Sequence, residues 1–153
     1  GTLLLAISSI GPLGACGGEH DPTFDEPVNC ATETRADNLV SGLEKLGDRG
    51  QVTFRLMTAT PSPPKRPTNS WLLQVEINGA PVTGAELRAK PYMPDHEHGT
   101  GVKPVISEVA GTPGDYRVDQ LDLWMPGLWE ITFDITPPGG TKDQTVFRAC
   151  LPE

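Results

Sequence analysis

The chain has 153 residues, 37% of them hydrophobic and 21% charged, which suits one globular domain and argues against wholesale disorder. With 12 basic and 20 acidic residues it carries a formal charge of −8, a balance that repels phosphates and disfavours nucleic acid as a partner. Gly (17) and Pro (16) are both abundant; neither is tolerated inside helices, so the composition points to short strands joined by many turns.

The first segment, Leu3-Leu4-Leu5-Ala6-Ile7 through Ile10, breaks at Gly11-Pro12 and has the length of a signal-peptide core. It is too short to span a bilayer as a helix. It runs into Leu13-Gly14-Ala15-Cys16, which resembles the bacterial lipobox: a leucine, two small residues, and the cysteine that accepts a lipid before cleavage. No basic segment precedes it, so the sequence is expected to start part-way into the leader. Residues 1–15 are therefore read as a signal-peptide remnant ending at the lipidation residue Cys16, and residues 17–33 as a polar, flexible tether. The alternative is a buried strand with a core cysteine. The lipobox reading implies export and a lipid anchor in a bacterial membrane, facing the periplasm or cell surface. Gly17, not Asp, follows Cys16, which favours the outer membrane.

With Cys16 assigned to lipid, Cys30 and Cys150 remain as an even pair in an oxidising compartment, and a disulfide between them is expected. It would close nearly the whole folded part, residues 34–153. Two unrelated free thiols are the alternative.

Asp37 to Gly47 places Leu39, Val40, Leu43 and Leu46 on one helical face, with Asp37 as a start cap and Gly47 as an end cap. One short N-terminal helix is expected there, although Gly42 weakens it. The period then changes to two. Val52, Phe54 and Leu56 alternate with polar residues, and a proline-rich loop, Pro61–Pro67, follows with Lys65 and Arg66. Trp71, Leu73, Val75 and Ile77 mark a second strand, and Asn78-Gly79 a turn. A third alternation begins at Ala85, Leu87 and Ala89. Further strands are expected at Val102–Val109, at Tyr116, Val118 and Leu121, at Trp129–Ile135 and at Gln144–Cys150. About seven short strands with turns between them predict an all-β, antiparallel sandwich.

Two stretches could carry chemistry. In Met93-Pro94-Asp95-His96-Glu97-His98-Gly99, the two histidines are spaced by one residue and in extended backbone share a face. Imidazole with a nearby thioether suits copper, whereas Mg²⁺ and Ca²⁺ prefer oxygen donors. Asp95 and Glu97 would then be supporting or surface groups. The second stretch is Leu123-Trp124-Met125-Pro126-Gly127, where Pro-Gly fits the centre of a type II turn. In an antiparallel sandwich the loops after the third and fifth strands emerge at one end, which would gather Met93, His96, His98 and Met125. The plainer readings are a solvated histidine pair, methionines plugging the core, and Trp71, Trp124 and Trp129 all packed inside. No dinucleotide fingerprint, phosphate loop or nucleophile elbow occurs, and no general base stands beside a free nucleophile, so an enzyme is not expected.

Between Trp71 and Ile135 the chain resembles the YtkA-like domain of bacterial exported proteins and lipoproteins. The resemblance rests on Asn78-Gly79-Ala80-Pro81-Val82, Met93-Pro94-Asp95-His96-Glu97-His98-Gly99, Gly114-Asp115-Tyr116 and Met125-Pro126-Gly127-Leu128-Trp129-Glu130. It implies an immunoglobulin-like sandwich. Because related domains occur beside copper-handling and oxidase-assembly proteins, it also implies copper as ligand and a copper protein as partner. Many members carry a second methionine where this chain has Asp95, which lowers the thioether count. A protein-interaction module of the cell envelope without metal is the competing expectation.

Overall fold

The computed structural model describes residues 28–153, so Cys16, the leader and residues 17–27 of the expected tether lie outside the described residues. Among the described residues ten strands fall into two sheets. The first runs β1 (Leu43–Leu46), β2 (Val52–Thr60), β3 (Thr68–Ile77), β8 (Asp115–Asp122), β7 (Val105–Glu108), with β4 (Ala80–Pro81) also on β3. The second runs β10 (Asp143–Leu151), β9 (Gly127–Thr136), β5 (Glu86–Met93), β6 (His98–Gly99). Every pairing is antiparallel.

The period-two pattern is the cause of this arrangement. Val52, Phe54 and Leu56 of β2, Trp71, Leu73 and Val75 of β3, and Ile131, Phe133 and Ile135 of β9 all turn inward and are essentially inaccessible. Trp71 from one sheet meets Phe133 and Phe147 from the other, with ring centroids 6.2 and 6.1 Å apart, so three large rings knit the two sheets at mid-height. In β8 the alternation Tyr116, Val118 slips to Leu121. Gln120 adopts a left-handed φ of 56°, and the register against β3 shifts between Asn69 and Trp71, so a bulge keeps Leu121 facing the core. Asn78 and Gly79 both have positive φ (52° and 75°), as a two-residue hairpin turn requires.

The expected helix over Asp37–Gly47 does not form; among the described residues there is no α-helix, and Leu43–Leu46 is a strand paired with β2. Leu39 and Leu43 pack against the core, but Val40 and Leu46 are exposed, so the four residues share no face. A single short helix is marginal without a face to bury, and the open edge of β2 offers a full hydrogen-bond ladder instead. Gly42, at φ 89°, turns the chain into that ladder. Gly47 is no helix cap either: any Cβ there would overlap the carboxylate of Asp143. Asp143 is buried and accepts hydrogen bonds from the backbone N–H groups of Arg49 (2.9 Å), Gln144 (2.9 Å) and Val52 (3.2 Å). Burial pushes its carboxyl up, but these amide donors more than offset that and hold it below the usual carboxylate range.

The two long sides of the sandwich differ. On one, β1 meets β10 through Lys45 Nζ on the Val146 carbonyl (2.8 Å) and the Asp48 amide on the Gln144 carbonyl (2.7 Å). On the other, β5 is covered by β6 only at Tyr92 and Met93, and Pro91 stands on the remaining edge, where a missing N–H is tolerated.

Candidate functional site at one end of the sandwich

The strand order brings the two candidate loops to one end. β5 ends at Met93 and turns through Pro94–Glu97 into β6, while β8 ends at Asp122 and passes through Leu123–Pro126 into β9. Because β5 pairs antiparallel with β9, with Tyr92 opposite Glu130, both loops leave the same rim. A hydrogen bond from the Thr100 hydroxyl, just after β6, to Asp122 at the end of β8 (2.6 Å) links the strands that flank them.

His96 and His98 are not in one extended segment. His96 sits in a tight turn, whose last residue, Glu97, has a left-handed φ of 55°, and His98 opens β6 opposite Met93. The rings are nevertheless adjacent, with centroids 5.9 Å apart. With metal–nitrogen bonds of about 2 Å an ion lies roughly 3.2 Å from each ring centre, so this separation is within the span of one shared ion. The Gly99 carbonyl, 2.9 Å from His98 Nδ1, can only accept, so Nδ1 donates to it and Nε2 is the nitrogen a metal would meet.

Three aromatic contacts fix His98. Its ring lies against Trp124 (5.7 Å, 20° between planes) and meets Trp129 edge-on (6.4 Å), besides His96. Trp71 and Trp129 are core residues as expected, but Trp124 is 48% exposed and caps the histidine. The Trp129 indole N–H donates to the Met125 carbonyl (3.0 Å), setting the second loop.

The two methionines differ. Met125 is partly buried at the rim. Met93 is fully buried, with its methyl 2.6 Å from where a Gly127 Cβ would lie, so glycine at that position makes room for it. As cross-strand partners Met93 and His98 lie on the same face of the sheet. Among the described residues no three His, Cys, Asp or Glu side chains group around one point. An ion at this rim would thus rely on two imidazoles and on thioether sulfur.

Cys30 and Cys150 form a disulfide with Cα atoms 5.5 Å apart. Cys150 lies opposite Leu128 in β9, so the bridge stands near the same rim. It anchors a segment that the sequence reading missed as part of the site. Arg35 of that segment donates to both Asp95 oxygens, at 2.7 Å each, and also to Glu33. The hydrogen bonds from Arg35 hold both carboxyls below their ordinary range and raise the guanidinium. No local pattern signals a contact between residues sixty positions apart.

Two antiparallel sheets, with a histidine and aromatic rim at one end, define an all-β sandwich. The chain belongs to the YtkA-like family, whose profile matches residues 49–134. A search of the curated proteins finds no significant match. Among solved structures the chain is similar to a DUF4426 family protein from Pseudomonas aeruginosa PAO1, at 12% identity and a TM-score of 0.51, covering 71% of this chain and 99% of that one. That likeness concerns the fold.

Proposed function

We propose that this protein is an exported, lipid-anchored member of the family that binds copper at the loop rim and hands it to a partner copper protein, rather than an enzyme. The single observation that carries the reading is the adjacency of the His96 and His98 rings, 5.9 Å apart, at the rim that also carries Met125. His96 and His98 supply nitrogen; Met125 at the rim and the buried Met93 supply sulfur, and thioether favours Cu(I). An incomplete donor set suits transfer, because a partner can supply further ligands to the bound ion. The two packed sheets are read as a variant of the immunoglobulin-like arrangement. Cys16 is read as the lipidated residue, on the lipobox-like Leu13-Gly14-Ala15 that precedes it.

The test is anaerobic Cu(I) titration against a chromophoric competitor, with Cu(II) followed by electron paramagnetic resonance. The full chain carrying Cys16→Ser is used, so that this thiol cannot compete. The expected result is one equivalent bound, with affinity at least 100-fold lower in the His96→Ala/His98→Ala variant. Wild-type affinity in that variant ends the metal reading and leaves a protein-interaction module. Separately, radiolabelled palmitate is expected to enter the wild-type chain in a bacterial host and not the Cys16→Ser chain.

A further inference from the structure

Residues 30–37 form a strap across the rim. At one end Cys30 is bonded to Cys150 of β10. At the other, the Asp37 amide donates to the Arg148 carbonyl (2.9 Å), and the Asp37 carboxylate accepts from the Arg148 amide (2.6 Å) and pairs with Lys45 (2.6 Å). Between these anchors Arg35 reaches the histidine turn and grips Asp95, the residue before His96, with both arms of its fork. Glu33, on the strap itself, accepts from the same guanidinium at Nε and Nη2, so the fork is aimed before it meets the turn. Arg35 lies outside the residues matched by the family profile.

We propose that Arg35 is a positioning residue for the His96–His98 pair, an inference that rests on the metal-binding reading. The turn it grips has one strained member, Glu97 with its left-handed φ, and a four-residue turn held only at its base samples other arrangements. Gripping Asp95 from a covalently anchored strap selects the arrangement in which the two rings adjoin. The pair itself is half-exposed, 48% for Arg35 and 46% for Asp95, so its removal is expected to loosen the turn without unfolding the sandwich.

The experiment compares Arg35→Ala and Arg35→Lys with wild type in the full chain carrying Cys16→Ser. In the metal-free protein, inter-ring nuclear Overhauser contacts between His96 and His98 are expected in wild type and lost in Arg35→Ala. Amide exchange over residues 95–99 should rise at least tenfold, while the unfolding midpoint stays within about 3 °C of wild type. Arg35→Lys, a single-point donor, should fall between. Cu(I) affinity should drop at least tenfold in Arg35→Ala, with no further loss in Arg35→Ala/Asp95→Ala. Retained inter-ring contacts, or wild-type copper affinity, in Arg35→Ala overturns the proposal. Failure of the wild-type protein to bind copper overturns the metal reading instead, and the ring contacts still decide whether Arg35 orders the pair.

Discussion

The indole of Trp124 lies flat against the imidazole of His98, 5.7 Å between centroids and 20° between planes, although Trp124 is itself half-exposed. A metal on His98 therefore sits beside a solvent-facing fluorophore. Cu(II) is expected to quench the red-shifted, exposed component of tryptophan emission in wild type. That component should be missing in Trp124→Phe, and present but unquenched in His96→Ala/His98→Ala. Quenching that persists in the histidine double variant would place the ion elsewhere.

Met93 has two assignments that a single substitution separates. As a core plug it can be replaced by leucine at a cost below about 1.5 kcal/mol, since the volumes are similar. As a sulfur donor to the ion it cannot. Met93→Leu is expected to unfold in urea close to wild type but to bind Cu(I) at least tenfold more weakly. Unchanged affinity would assign Met93 to packing alone.

Gly47 and Asp143 form a mutually dependent pair. Asp143→Ala leaves the amides of Arg49, Gln144 and Val52 without their acceptor and is expected to cost about 2–3 kcal/mol in urea denaturation. Gly47→Ala should be comparably damaging, because the new Cβ displaces the carboxylate. The folded state depresses the Asp143 carboxyl, so its contribution is fully present above the unfolded value of about 3.9. It is lost as pH falls through the lower folded value. The wild-type stability advantage over Asp143→Asn should shrink along that same descent.

The Cys30–Cys150 bridge spans 120 residues. In the chain-entropy model its removal costs roughly 4–5 kcal/mol. A reductant is therefore expected to lower the denaturation midpoint markedly, while the mass after alkylation without reductant shows neither thiol modified. Modification of both cysteines in the native, oxidised protein would refute the pairing.

Much of the fold was legible in the sequence. Residues such as Phe54, Val75 and Phe133 repeat with period two, and Asn78-Gly79 fits only a few backbone conformations, so strands and hairpin turns are local properties. The Cys30–Cys150 pairing was expected from cysteine count and an expected oxidising compartment. The loops at Met93–Thr100 and Met125–Gly127 do share a rim, although the strands before them are the fifth and eighth among the described residues, not the third and fifth. The failure at Asp37–Gly47 is equally physical. Leu39, Val40, Leu43 and Leu46 do have helical spacing, but the choice between helix and strand there rests on the vacant edge of β2, which is not local information.

The candidate site divides in the same way. By itself the sequence determined the chemistry available: imidazole at His96 and His98, thioether at Met93 and Met125, and two cysteines to join the ends. Side-chain chemistry and short spacings are written residue by residue. Only the tertiary structure decided that Met93 is buried while Met125 lies at the rim, that Trp124 caps His98 instead of entering the core, and that Arg35 reaches Asp95. Each of those outcomes depends on which strands become neighbours, and neighbours distant along the chain are chosen by the packing of the whole sandwich.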